Sequence, residues 1–200
     1  MLVGHHRAYS PLLETAKSII DSGELGKTVS IMGSAMFYKP DYYYNEGEWR
    51  KVKGGGPILI NMIHEIGNLR HLVGDIVGVQ ALNSSATREF EVEDTTAISL
   101  RFANGTLGSF MLSDASASPR SWEQTSQENK TYATYETEDC YHVAGTNGSL
   151  SIPTMQIKSF KEGVTPSWWN AMEERQEPVT REDPLKRQLE HFCALIRGEE

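Results

Sequence analysis

Cysteine is scarce. Cys140 and Cys193 are the only two, far apart, and neither belongs to a Cys-x-x-Cys pair. One bond between them remains open, but two reduced thiols in a cytoplasmic protein is the simpler reading. No run of about 18 apolar residues occurs, which excludes a conventional membrane-spanning helix. The opening "MLVGHHRAYSP" has no basic segment leading into an apolar one and so is not a secretory signal. Positive charge is also in short supply: 19 Lys and Arg stand against 27 Asp and Glu, for a net charge of -8. The basic residues form no cluster, which argues against a nucleic-acid groove and leaves a small molecule or a protein as the partner.

What remains is ordinary for a soluble domain. The 200 residues suit one domain or slightly more, and an apolar fraction of 38% is enough for a core. Ser10-Pro11 opens a helix, because Ser10 can cap free amides and Pro11 fits the first helical position. Leu12, Ala16, Ile19 and Ile20 share a face, and Gly23 ends the helix. "KTVSIMGSAMFY" reads as a strand. The irregular stretch 39–53, "KPDYYYNEGEWRKVK", reads as a functional loop.

"GGGPILINMIHEIGNLRHLVG", from Gly54 to Gly74, is a glycine-led helix with His64 set among Ile60, Met62, Ile63 and Ile66. The pattern after it is β. "DIVGVQALNSSATR" is one strand, Asn104-Gly105 and Asn147-Gly148 each mark a hairpin, and "MQIKSF" follows. Asp183-Pro184 begins a last helix with Leu185, Leu189, Phe192, Leu195 and Ile196 on one face. The sum is an α+β fold, a large open mixed or antiparallel sheet with helices on one face. The other face needs a cover, and a second subunit is the natural one. Both ends read as cut, as in a piece of a longer protein, with the C-terminal side truncated.

Three stretches in this order resemble the Gfo/Idh/MocA oxidoreductases. "VGHHRAYSPLLETAKSIIDSGELGK" is similar to the junction where that family's dinucleotide domain ends. "GGGPILINMIHEIGNLRHLVG" is similar to its glycine-led helix, and "VAGTNGSLSIP" to a strand–turn–strand late in its sheet. The resemblance implies an N-terminal Rossmann domain that binds NAD or NADP and supplies a lysine from Glu-Lys-Pro. It implies a second domain, of the dihydrodipicolinate-reductase-like C-terminal type, that brings substrate groups and builds the oligomer. These residues contain neither Gly-x-Gly-x-x-Gly nor Glu-Lys-Pro. They match the second domain, 10–200, preceded at 1–9 by the last Rossmann strand. The cofactor would be NAD or NADP in the full-length protein, with none bound by these residues alone. The partners would be the Rossmann domain in cis, a sugar-like substrate, and further copies in a dimer or tetramer.

For the site, the resemblance assigns proton transfer to His64, acting itself or assisting the lysine. A neutral imidazole suits that task. On periodicity alone a half-buried packing histidine is the preferred reading, and the resemblance reverses that preference. The family often has an aspartate where this chain has Ile60; Asn61, three residues before His64, reaches the same side and can hold a sugar hydroxyl. His5, Arg7 and Tyr9 follow the first strand and are expected at the substrate, a polar turn being the other reading. Trp49 and Arg50 match a pair that in some members contacts cofactor or substrate. Tyr42, Tyr43 and Tyr44 fit either a sugar-stacking platform or an oligomer contact. Residues 121–139 fit either a loop over the pocket or an extended edge. His64, His71 and Glu65 suggest a zinc site and a metal-dependent hydrolase, but the spacing matches no recognised pair and no metal is expected. A non-catalytic binding or assembly module on the same sheet is the other alternative.

Overall fold

The computed structural model describes residues 3–199. Its centre is one eight-stranded sheet in the order β2-β3-β4-β1-β5-β6-β7-β8. The strands are β1 (Thr28–Met36), β2 (Ile76–Ser84), β3 (Thr95–Phe102), β4 (Leu107–Ser113), β5 (Tyr141–Gly145), β6 (Gly148–Ile152), β7 (Gln156–Ser159) and β8 (Glu173–Gln176). Only β1 and β4 run parallel; every other neighbouring pair is antiparallel. The α+β architecture with an open mixed sheet is therefore the one the sequence pattern implies. Both expected hairpins form, and Gly105 takes the positive φ, +90°, that its turn demands.

Two helices cover one face. Helix α1 (Pro11–Asp21) is capped by Ser10, whose Oγ accepts from the Leu12 N–H at 3.2 Å. It buries Leu12, Leu13, Ala16 and Ile19. Along β3 the period of two is clean: Thr96, Ile98, Leu100 and Phe102 point into the core, while Ala97, Ser99 and Arg101 are exposed. The opposite face of the sheet is open, with Leu82 80% and Met32 56% exposed.

Four elements went unforeseen. Asp41–Asn45 forms a short helix α2, Glu48–Lys51 a 3-10 turn, Trp122–Thr125 a short helix α4, and Glu173–Gln176 the edge strand β8. Strand β8 reads Glu-Glu-Arg-Gln, and all four residues are exposed. A charged outer edge resists further pairing, and that polarity hides the strand from a hydrophobic pattern. The strand read at 1–9 is not present among the described residues. His5 donates to the Val3 carbonyl at 2.8 Å, and His6–Tyr9 closes a 3-10 turn, so these backbone groups are satisfied locally rather than in a ladder. Met1 and Leu2 lie outside the described residues. The last helix, α5 (Pro184–Arg197), forms as expected, with Asp183 capping Leu185 at 2.9 Å. Its apolar stripe stays exposed, Leu189 at 61% and Ile196 at 70%. No helix among the described residues is long and apolar enough to cross a membrane.

The glycine run has a steric cause. Gly54 and Gly56 have φ of +99° and +78°. A Cβ on Gly55 would strike the Trp49 carbonyl oxygen and lie 2.8 Å from the Arg50 Cα. The run therefore lets the helix start lie directly on the 48–51 turn. Glu93 then takes the role of a cap, its Oε1 accepting the Ile58 N–H at 2.8 Å. Gly55→Ala is expected to cost about 1–3 kcal/mol by forcing backbone apart, read as a lower urea midpoint at unchanged m-value. An unchanged midpoint would show that the 48–51 turn yields freely.

Candidate functional site

The helix that carries His64 is not uniform. Ile58–Met62 forms a π-helical turn, which passes into α3 (Ile63–Val73). Such wide turns re-aim the side chains around them. The buried residues of this helix are Met62, Glu65, Asn68, Leu69 and Leu72, whereas Leu59, Ile63 and Ile66 are exposed. The apolar setting read around His64 is thus largely turned outward, and the inward stripe is partly polar.

That stripe is bound by Arg7, which is 4% exposed. Its Nη1 reaches Glu65 Oε1 at 2.5 Å and its Nη2 reaches Glu123 Oε1, on α4, at 2.5 Å. The Tyr141 hydroxyl donates to Glu65 Oε2 and accepts from Asn68 Nδ2 at 3.1 Å. Burial opposes the charge on Arg7, but Glu65 and Glu123 together raise its proton affinity above the ordinary value. Arg7 therefore ties the 3-10 turn at 6–9 to α3, α4 and the sheet.

The same turn brings three imidazoles together. The rings of His5 and His6 each lie 5.5 Å from that of His64, centroid to centroid. His64 Nδ1 is buried without a hydrogen-bond partner. Burial first, then the charge of Arg7 and the nearby His6 and His5, lowers the His64 pKa to about 4. His6 is lowered as well, by burial and then Arg7. At neutral pH His64 is the uncharged form, which carries one N–H and one free lone pair.

A second group lies past the carboxyl end of β1. Lys39, 7% exposed, donates to Asn61 Oδ1 at 2.7 Å and stands 3.7 Å from Asp114 Oδ2. Burial lowers its pKa, and Asp114 partly restores it. Its Nζ lies 5.0 Å from the Tyr43 ring centre, and Arg50 stacks on the same ring at 3.8 Å. Asp114 also accepts from the Tyr44 hydroxyl at 2.6 Å and from Arg88 Nε at 3.0 Å.

The match to known proteins follows this geometry. The GFO/IDH/MocA C-terminal domain matches residues 13–151, well over half of the chain. The chain belongs to the Gfo/Idh/MocA family. An oxidoreductase of Thermotoga maritima superposes with a TM-score of 0.72 at 18% identity, over 99% of this chain and 52% of that one. The WlbA dehydrogenase of Bordetella pertussis, solved with NADH and UDP-GlcNAcA, gives 0.62 at 21% identity, over 94% and 49%. A levoglucosan dehydrogenase, solved with NADH and levoglucosan, gives 0.67 at 19%, over 98% and 57%. The chain spans about half the length of these structures. No curated protein matches it.

Within this Gfo/Idh/MocA domain the expected residues separate. His5 and His64 come together; Asn61 is held by Lys39. Arg7 was expected at the substrate; in the structure its Nη1 and Nη2 are bound to the carboxylates of Glu65 and Glu123. Tyr9 donates to or accepts from His191 Nδ1 on α5 at 2.6 Å, which ties it to that helix. Arg50 is stacked on Tyr43, and Trp49 is 54% exposed beside it. The three tyrosines divide: Tyr42 is exposed, Tyr43 forms the stack and Tyr44 enters the core. Among the described residues no three His, Cys, Asp or Glu side chains group as metal ligands, and His71 is exposed. Lys39, Asp114 and Glu123 escaped the sequence reading, and Glu65 entered it only as a metal ligand. For Lys39 a signal existed, a lone lysine among aromatics just past a strand. Glu65 lies in, and Asp114 at the end of, an element whose pattern was legible, but their partners are remote in sequence; Glu123 lies in a stretch without pattern.

The histidine shift has a pH consequence. An unfolded histidine titrates near 6.5 and His64 near about 4, so between these values the unfolded chain binds more protons. Stability should fall as pH drops through that window. Urea midpoints followed from about pH 7 to about pH 4.5 should fall more steeply in the wild type than in His64→Gln. Parallel curves would mean that His64 titrates normally.

Proposed function

We propose that this domain forms the substrate side of an NAD- or NADP-dependent oxidoreductase that interconverts a secondary alcohol of a sugar or polyol and the ketone. The observation that carries the reading is His64, an uncharged imidazole with an unpartnered buried Nδ1, on the glycine-led helix of a Gfo/Idh/MocA domain. The sugar ligands named with the WlbA and levoglucosan enzymes support the substrate class, and their NADH supports the cofactor.

The residues here fit only one side of such a cofactor, since no glycine-rich turn among them cradles a pyrophosphate. When bound, the nicotinamide supplies the hydride acceptor or donor. This chain handles the proton and the orientation. His64 accepts the hydroxyl proton in its neutral form. The His5 and His6 rings are its nearest imidazoles. Lys39 holds Asn61 Oδ1, which leaves the Asn61 Nδ2 to donate to a substrate oxygen. The exposed Leu59, Ile63 and Ile66 and the apolar stripe of α5 suit a covering dinucleotide-binding domain in cis.

Joined to a dinucleotide-binding domain of the same family, the protein should oxidise a sugar or polyol with NAD or NADP. His64→Ala should lower kcat about 10²–10⁴-fold, and His64→Asn nearly as much, with little change in denaturant midpoint. Normal turnover with reduced stability would make His64 a packing residue and remove the mechanism.

The open sheet face is the surface proposed for self-association. It exposes Leu82, Met32 and Met111 around a hollow of about 1060 Å³. Pairing of this face with a second copy would cover it. Light scattering should give a dimer or tetramer, and Met32→Glu should shift it toward monomer; a clean wild-type monomer at micromolar concentration would refute the pairing.

A further inference from the structure

Glu123 lies in the unpatterned stretch 121–139 and has no counterpart in the expected site. The cap of α4 places it: Ser121 Oγ accepts from the Gln124 N–H at 3.3 Å, and Trp122 anchors the helix at 3% exposure. Glu123 Oε1 is bound to Arg7 at 2.5 Å. Its Oε2 is buried and has no hydrogen-bond partner. A buried carboxylate oxygen without a donor is costly, and native structures seldom leave one so. Two carboxylates, Glu65 and Glu123, share the single guanidinium of Arg7, so the cluster holds one acceptor more than its cation satisfies.

The open oxygen belongs to the same region as the proposed site. Arg7, its partner, is adjacent in sequence to His6, whose ring contacts His64. The charge of Glu123 is felt at His6, His64 and Lys39, three groups contributed by three different segments.

We infer that Glu123 is a ligand-binding carboxylate, whose free oxygen accepts a hydrogen bond from a hydroxyl of a polyhydroxylated, uncharged substrate near the one that faces His64. This deepens the sugar or polyol reading of the same site and rests on it for the ligand class. The chemistry selects against a carboxylate at that end of the substrate, because two acceptors would meet without a proton between them.

The test is direct binding, read by calorimetry or ligand-observed NMR on the wild-type protein and Glu123→Gln. The probes are myo-inositol, D-glucose, the monodeoxy glucoses and D-glucuronate. Glutamine keeps an oxygen for Arg7, and equal denaturant midpoints will show that the fold is kept. Glu123→Asp, which keeps the charge but withdraws it, is the second variant. A hydrogen bond to a charged group predicts about 10–100-fold weaker binding of the neutral probes by Glu123→Gln. One monodeoxy glucose should be insensitive to the substitution, because its missing hydroxyl is the partner. Glucuronate should bind the wild type more weakly than glucose. Unchanged affinity in both variants, a uniform loss across all the analogues, or no binding of any neutral probe would overturn the proposal. Binding that follows this pattern, with no turnover when the dinucleotide-binding domain and NAD or NADP are supplied, would instead count against the oxidoreductase reading alone. Loss of turnover in His64→Ala with normal binding in Glu123→Gln would count against Glu123 alone.

Discussion

The buried guanidinium of Arg7 holds this site together. It closes two ion pairs at 2.5 Å, to Glu65 on α3 and to Glu123 on α4, and the Glu65 carboxylate is completed by Tyr141 from β5. Three elements remote in sequence are thereby fixed around one cation. Such a cluster is a weak source of net stability, since desolvation offsets attraction, but removal of one member leaves a buried charge exposed to no solvent. It therefore acts as a register. The turn at 6–9 has one permitted seat, and His5 and His6 reach the ring of His64 because Arg7 is seated.

A parallel arrangement sets the other wall. Asp114, at the end of β4, takes the Tyr44 hydroxyl and Arg88, and it stands beside Lys39. These contacts hold the loop after β1 against the sheet, so Lys39 meets Asn61 on the π-helical turn. The cation lies near the Asp114 carboxylate and over the rings of Phe37 and Tyr43. His6 and His64 thus lie near one buried cation, Arg7, and Lys39 is itself a buried cation near a carboxylate. The lowered proton affinities of His64 and Lys39 have a common first cause, burial, with different neighbours adding to it or opposing it.

Much apolar surface remains uncovered. The open sheet face, the outward side of α3 and the stripe of α5 all expose large side chains. These are the surfaces that the proposed partner domain and second copy would cover, and about half the length of its structural neighbours has no counterpart in this chain. The charged edge strand β8 shows the contrary design, an edge that refuses company.

The elements that depend on local pattern were determined by the sequence itself. The caps at Ser10 and Asp183, the alternation of β3, the turn at Asn104-Gly105 and the glycine-led helix each follow from residues within a few positions of one another. The reason for the glycine run, its contact with the Trp49–Arg50 turn, was not readable. What only the tertiary structure decided were the roles of charged groups. Arg7 reads as a substrate contact until Glu65 and Glu123, 58 and 116 residues away, are seen to occupy it. Lys39 acquires its meaning from Asn61 and Asp114, and Glu123 from the guanidinium it shares. An apolar residue declares its face by its period, because any apolar neighbour satisfies it. A charge must find one particular partner in space, and nothing in its own stretch of chain says where that partner stands.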